Sequence, residues 1–198
     1  LYMTGRPLAD AEAEIASYHQ IIRHQFKHDV VANMTEIYQQ AVANLLGHAP
    51  DPRRLKGAHL DEDRLLPALL AVNEKTRVVH IYIQRLLLNT VFHNYERAVE
   101  NANSAEKILS GTQGTFNIPV FYFYDSLARL AQLTDACVVC NAPADRDAAL
   151  ERVAANLDRL KRWAQSAPTS HLHKYYLVEA ERARVSGDFK GDHARIKT

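Results

Sequence analysis

The chain has 198 residues, 47% of them hydrophobic and 24% charged, and its formal net charge is +1. Such a composition belongs to a globular protein long enough to bury a core, and it excludes a disordered tail and a fibrous protein. The small net charge, with basic and acidic residues interleaved, disfavours nucleic acid and anionic membranes as partners.

Residues that interrupt helices are scarce, which favours helices over strands that need frequent turns. The sequence holds seven glycines and seven prolines, and good helix formers are plentiful. No apolar run reaches the roughly 20 residues of a membrane span, and no signal-peptide pattern is present. We therefore expect a cytoplasmic protein without membrane insertion, and the start at Leu1 rather than at methionine indicates a segment of a longer protein.

Two apolar stripes in the first 46 residues (1–46) predict an N-terminal helical hairpin. Pro7 suits the first position of a helix, and apolar residues then recur every three or four positions from Leu8 to Ile22. A second stripe runs from Val30 to Leu45, and Gly47 follows where a left-handed C-terminal cap is needed.

Residues 47–60 are predicted to form a long loop. Pro50, Pro52 and Gly57 interrupt the helical pattern there, so we expect this stretch to be a mobile or exposed edge. A short helix is predicted to follow, because the acidic residues 61–63 favour a helix start and several leucines come next.

The segment from Thr76 to Leu88 is apolar around most of a helical circumference, as in a helix enclosed by neighbours. Its β-branched half also fits a strand. Helix is favoured because the flanking pattern is helical and a lone strand would have no pairing partner.

The spacing of Tyr95, Ala98 and Ala105 matches the second half of a tetratricopeptide-type repeat. In that architecture an aromatic residue enters the gap between two antiparallel helices, and small residues let their backbones approach. The match is partial, because Leu86 stands where the repeat needs a small residue. Residues 61–109 are thus predicted to form a degenerate repeat hairpin.

Further repeat hairpins are predicted over 115–189, after a break at 110–114. Pro119 opens the first helix, and a stripe from Leu150 to Ala164 marks the second. The last helix is expected to start near Ser170.

Together, the stripes predict a single all-α segment over 1–198. Its antiparallel helix hairpins are expected to stack as a tetratricopeptide-like α-solenoid, in which each hairpin contacts its neighbours. Residues 190–198 do not continue the helical pattern and are interpreted as a truncated tail.

Paired cysteines and histidines are the main candidates for metal or redox chemistry, and neither pair makes a convincing site. Cys137 and Cys140 have the spacing of half a zinc site, but no second such pair exists and a packing role explains them. His24 and His28 lie four apart, with His19 nearby, but lack the glutamate of a metalloprotease motif. Solvated helix-face histidines are favoured, and no metal or other cofactor is expected.

Hydrolase and kinase chemistry also lack their motifs. Asp125, Ser126 and His171 are the residue types of a catalytic triad, but no nucleophile-elbow glycines surround the serine. His171 and His173 lack the pattern of a phosphoacceptor helix, so a surface or capping role is favoured. No phosphate-binding loop or kinase catalytic loop occurs, so no catalytic residue is assigned and the segment is predicted not to be an enzyme.

Aromatic residues are concentrated between positions 116 and 124 and have two interpretations. Adjacent helices in a stack bury aromatic surface, which favours core packing, whereas solenoids also present concave faces that bind peptides. The residues proposed for contact with partner proteins are Phe121, Tyr122, Tyr124 and Tyr176.

Five strings resemble, in the same order, the helical region of very large bacterial proteins. Those proteins join a serine/threonine kinase, an AAA-type ATPase, a helical repeat region and a C-terminal sensor histidine kinase. The strings are YQQAVANLLG at 38–47, YERAVENA at 95–102, FYFYDSLA at 121–128, LKRWA at 160–164 and HLHKYYLVEAE at 171–181. The likeness thus covers most of residues 10 to 189, and it departs from the family pattern after Phe189.

The resemblance implies a non-catalytic connector within a multidomain protein kinase used in signal transduction. Its partners would be other domains of the same polypeptide or separate partner proteins. The alternative is a stand-alone adaptor that binds a short peptide in a groove. A helical-bundle metalloenzyme is disfavoured, because no Glu-x-x-His signature is present.

Overall fold

A computed structural model of the protein describes residues 5–112, 114–134 and 143–187. These residues form eight α-helices and no β-strand, apart from one isolated antiparallel bridge between Lys56 and Asp61. The predicted all-α class is confirmed. The helices are α1 (Leu8–Gln20), α2 (Asp29–Leu45), α3 (Glu62–Ala71), α4 (Lys75–Val91), α5 (Tyr95–Glu106), α6 (Asn117–Thr134), α7 (Pro143–Ser166) and α8 (Pro168–Ser186).

The chain divides into two compact units, which are described separately. Unit 1 is Leu1–Gln113 and unit 2 is Gly114–Thr198. The division falls within the break that the sequence places at 110–114. No helix in the described ranges combines the length and the apolar character that a membrane crossing requires.

Helix α4 is the centre of unit 1. Helices α2, α3 and α5 all pack against it, while α1 pairs with α2 as the predicted N-terminal hairpin. The enclosure of α4 explains its apolar circumference, and the helical interpretation of Thr76 to Leu88 is confirmed over the strand. Its apolar side chains that are at most 2% exposed are Val78, Val79, Ile81, Ile83, Leu86, Leu87 and Leu88.

A buried histidine joins α2 to α4. The Tyr38 hydroxyl and the Nδ1 atom of His80 lie 2.7 Å apart, and their rings meet edge to face. Burial lowers the pKa of His80 to about 4, with a smaller opposing influence from Glu74. The imidazole is therefore neutral at physiological pH, and its contact with the tyrosine is a structural one.

Three helices of unit 1 end in the same backbone turn. The left-handed residues are Gly47, Asn73 and His93, with φ of +82°, +54° and +57°. In each turn the N–H of the left-handed residue donates to the carbonyl three residues back. The next N–H donates to the carbonyl five residues before it, as in the Schellman motif. The cap at Gly47 was predicted, and the other two turns use residues without a glycine signal.

The 47–60 loop is anchored to α2. Most of its residues are exposed, as expected of an exposed edge, and its mobility stays a prediction. Gln40 is buried, and its Oε1 accepts hydrogen bonds from the backbone N–H groups of His59 (3.0 Å) and Leu60 (3.2 Å). Asn44 is also buried and donates to two loop carbonyls. The Leu55 side chain fills the space beneath the loop and is 0% exposed.

Small residues let α5 approach α4, as the repeat spacing predicted. Ala98, Ala102 and Ala105 are at most 1% exposed on the buried face of α5. Tyr95 is partly buried at the start of α5, and its ring meets that of His93 edge to face. Its insertion between two helices, as in the repeat, stays a prediction.

Unit 2 consists of α6, α7 and α8, each of which packs against the other two. The predicted stripe on α7 supplies much of the core, and α8 begins at Pro168, two residues before the expected start. Gly187 caps α8 with a φ of +71°. The buried core cluster contains Phe123, Leu130, Val153, Leu157, Leu160 and Val178.

A buried carboxylate ties α6 to α7 inside unit 2. Asp125 is 0% exposed, and its oxygens accept hydrogen bonds from Arg129 (2.7 Å), Arg152 (3.1 Å) and Asn156 (2.8 Å). Asn156 also donates to the hydroxyl of Ser126, whose own proton goes to a backbone carbonyl. The network thus joins side chains of both helices around one buried charge.

Candidate functional site

Arginines from the loop and two helices of unit 1 line one cleft of about 500 Å³. The loop before α3 contributes Asp51, Arg53 and Arg54, and the other lining residues lie on α3, on α4 and at the start of α5. They are Glu62, Asp63, Leu66, Pro67, Arg85, Asn89, Asn94 and Arg97. The cleft thus forms where three helices meet the anchored loop.

Glu62 is the buried acid at the base of the cleft. Its side chain is 4% exposed, and its Oε2 accepts a hydrogen bond from the Leu55 N–H at 3.1 Å. Its Oε1 receives the Arg54 Nε at 3.4 Å. Arg85 lies on the other side, with Nε 3.8 Å from Oε2. Glu62 therefore fixes the loop and offers Arg85 a charge partner without a hydrogen bond.

Two further acids of the cleft are bound by loop cations. The pKa of Asp63 is lowered, chiefly by a hydrogen bond from Lys56 at 2.8 Å, and Arg54 contributes a second ion pair. The pKa of Asp51 is lowered by its hydrogen bond from Arg53. Both acids are ionised at neutral pH and already have positive partners.

Asn89 holds the loop against α4 at the edge of the cleft. Its side-chain amide is 4% exposed and donates to the backbone carbonyl of Arg53 at 3.2 Å and to that of Arg85 at 2.8 Å. These bonds determine where the Arg53 backbone lies relative to α4. The cleft is therefore positioned by buried groups that hold its walls together.

Helices α4 and α5 each contribute one guanidinium group to the cleft, Arg85 and Arg97. Among the described residues, the buried Arg85 Nε has no hydrogen-bond partner. Arg97 has a side chain 64% exposed and pairs with Glu100 at 2.9 Å, one turn along α5. Such exposed pairs contribute little. Asn94 caps α5 by accepting the N–H of Arg97, so the positive end of a helix dipole also faces the cleft.

The charge balance of the cleft is slightly positive. Its four guanidinium groups outnumber its three carboxylates by one. Leu66 and Pro67 of α3 supply an apolar patch beside the charged groups. The arrangement can bind a single negatively charged group attached to an apolar one, and it contains no nucleophile paired with a base.

The four residues proposed for partner contact lie in very different surroundings. Phe121 is 0% exposed and Tyr122 is 8% exposed, so the favoured core-packing role holds for both. Tyr124 is partly buried against the core of unit 2. Tyr176 is 55% exposed on α8. A role in partner contact stays a prediction, and Tyr176 has the ring most accessible for it.

The candidate triad does not form a catalytic arrangement. The Asp125 carboxylate is occupied by arginine and asparagine donors, and Ser126 donates its proton to the Tyr122 carbonyl. His171 lies beside Trp163, with ring centroids 6.4 Å apart. The residues of the proposed triad therefore serve helix packing.

The histidines of the N-terminal hairpin do not share a helix face. After α1 a π-helical turn, Ile21–Gln25, contains His24, whereas His28 lies beyond it as the cap of α2 and accepts the Val31 N–H. His19 is bonded to Thr35 at 2.7 Å. Cys137 and Cys140 lie outside the described residues. Within the described ranges no group of three potential metal ligands is found.

Comparison with known proteins gives no relative for this chain: no protein-family model, no curated protein and no solved structure matches it.

Proposed function

We propose that this chain is a non-catalytic helical scaffold that connects domains and partner proteins within a multidomain signalling kinase. The observation that carries the proposal is that buried polar side chains hold the helices and the loop together. Gln40 holds a loop, Glu62 joins that loop to α4, and Asp125 joins α6 to α7. An enzyme would expose such carboxylate and amide groups to a substrate, whereas here they form hydrogen bonds and ion pairs that hold helices and the loop together.

The contacts between helices support a tetratricopeptide-like solenoid. Helices that follow each other in the chain pack together within each unit, except α2 and α3, which the anchored loop separates. The pairs α2 with α4 and α6 with α8 add contacts between helices two apart. Repeat solenoids show this pattern of neighbour contacts. The recurring Schellman turns and the alanine face of α5 are further features of stacked hairpins.

The kinase context is supported by the resemblance of the five strings to the helical region of the kinase fusion proteins. In such a protein the helical region would set the distance between an ATPase module and a sensor histidine kinase module. The connector would then act mechanically, by stiffness and spacing, and its partners would be the adjoining modules.

Determination of the complete reading frame around the segment tests this proposal. We expect kinase motifs on at least one side, and deletion of the helical segment from the full polypeptide should leave phosphate transfer intact while uncoupling it from the sensor. A reading frame that encodes only this chain would contradict the connector role. ATP hydrolysis by the purified chain would contradict the non-catalytic role.

A stand-alone peptide-binding adaptor is the second candidate. The arginine-lined cleft supports it, because a polar cleft of this kind can bind part of a short peptide. The reading frame separates the two candidates, since an adaptor is complete without kinase motifs.

A further inference from the structure

We propose that the cleft of unit 1 binds an acidic residue of a partner's peptide segment, with the oxyanion between Arg85 and Arg97 and a neighbouring apolar side chain on Leu66 and Pro67. The inference rests on the partner-contact part of the proposed function. It holds equally for a connector and for an adaptor.

Arg85 contributes the first cation of the site. Among the described residues its buried Nε has no hydrogen-bond partner, and the Glu62 Oε2 atom, 3.8 Å away, is already engaged by Leu55. The Nε atom itself is closed to solvent, so an oxyanion would bind the accessible part of the guanidinium group, whose side chain is 25% exposed. A charge-assisted hydrogen bond to this group is stronger than one between neutral partners.

The second step is the contribution of α5. Arg97 lines the same cleft, and its partner among the described residues is the exposed Glu100. An incoming anion can replace this exposed ion pair at little cost. The N-terminus of α5, capped by Asn94, adds a favourable dipole. Two guanidinium groups from neighbouring helices therefore converge on one anion.

The third step limits the size and charge of the ligand. The cleft has one positive charge in excess, because Asp51, Glu62 and Asp63 offset three of its arginines. A polyanion such as nucleic acid needs many such charges in a row, whereas one carboxylate or phosphate group needs one or two. The volume of about 500 Å³ accommodates one acidic side chain with an apolar neighbour, and Leu66 and Pro67 provide the surface for that neighbour.

Fluorescence anisotropy with three labelled peptides tests the proposal on the full chain. The peptides share a leucine-flanked centre and differ in one residue, which is glutamate, phosphoserine or serine. We expect the glutamate and phosphoserine peptides to bind and the serine peptide to bind at least tenfold more weakly. The ratio of the first two affinities identifies carboxylate or phosphate as the natural group, and inorganic phosphate should compete if the phosphate is favoured.

Matched variants locate the site. Arg97→Gln should weaken binding of the acidic peptide about tenfold, since it removes one charge-assisted contact. Arg184→Gln is the control, because Arg184 also forms an exposed ion pair three residues along its helix, with Glu181. Arg85→Gln should weaken binding further, and Arg85→Lys should restore part of the affinity because it keeps the charge but loses the planar fork.

Three results would overturn the proposal. They are equal binding of the serine and glutamate peptides, an equal loss in Arg97→Gln and Arg184→Gln, and no binding of any peptide up to about 1 mM. Circular dichroism confirms that each variant is folded, and Arg97→Gln, which alters a mostly exposed side chain, keeps the test valid if Arg85→Gln unfolds. If peptide binding fails, the scaffold proposal is not affected, because the reading frame and the ATP hydrolysis assay test it separately.

Discussion

The contact between Gln40 and Gly57 provides a sharp test of how the loop is anchored. A Cβ atom on Gly57 would lie 2.5 Å from the Gln40 Nε2 atom, so the side chain would have to move. Gln40 is not free to move, because its amide also holds His59, Leu60 and Asn44. We expect Gly57→Ala to destabilise the protein by about 2 kcal/mol through overpacking.

Removal of the Gln40 side chain should destabilise the protein more than Gly57→Ala does, but it also removes the atoms that a Cβ on residue 57 would meet. Gln40→Ala loses three hydrogen bonds and leaves the Leu60 N–H buried without its partner, which costs about 3–5 kcal/mol. In that background Gly57→Ala should cost less than about 0.5 kcal/mol, because the side chain that it meets is gone.

Urea unfolding of the wild type, Gly57→Ala, Gln40→Ala and the double variant measures the free energy of unfolding of each protein. Far-UV circular dichroism follows all helices, and the fluorescence of Trp163, the single tryptophan, verifies that unit 2 is folded in each variant. If the cost of Gly57→Ala is the same with and without Gln40, the contact is not the reason for glycine at this position. Backbone strain is not a competing reason, because Gly57 has no positive φ.

Three further changes probe the buried polar groups and the helix contact. Asp125→Ala should destabilise unit 2 by about 3–5 kcal/mol in urea unfolding followed by Trp163 fluorescence, because it leaves buried arginine charge uncompensated; a loss below about 1 kcal/mol would contradict this role. The His80 imidazole takes a proton near pH 6.5 when unfolded but only near 4 when folded, so acidification between these values should cost up to about 3 kcal/mol. That loss should be absent from His80→Gln in the same unfolding measurement. Ala102→Leu should lower stability by about 1–3 kcal/mol through overpacking between α4 and α5, and an unchanged urea midpoint would show that the helices are not in close contact there.

The helices could be predicted because local signals determine them. Apolar spacing marked α2, α4 and α7, and Gly47 marked a left-handed cap. The left-handed conformations of Asn73 and His93 were not predicted, because both residues adopt positive φ without the sequence signal that glycine provides. Their conformation follows from the close packing of α3 and α5 on α4.

The loop shows what composition does not reveal. Two prolines and a glycine predict a loop correctly, but they do not show that Gln40 and Asn44 of α2 hold it, through bonds to groups 8 to 20 residues further along the chain. Buried amides on a helix have no periodic signature of their own. Anchoring of this kind depends on tertiary contacts, which sequence patterns do not contain.

The cleft was missed for a related reason. Its arginines stand at positions 53, 54, 85 and 97, so no run of basic residues marks it. They come together because the loop and α5 both pack beside α4. The aromatic cluster at 116–124 had a strong local signal instead, yet Phe121 is wholly buried. Local composition thus predicted core residues, whereas the cleft could be recognised only from the packing of the loop and helices.

Nuclear magnetic resonance of the arginine Nε–Hε groups tests the account most directly. When the full chain is titrated with the glutamate peptide, the Arg85 signal should shift strongly, because a carboxylate then binds its guanidinium group in the cleft. The Arg184 signal should stay unchanged. Saturable peptide binding that leaves Arg85 unmoved would contradict the assignment of the cleft as the partner site.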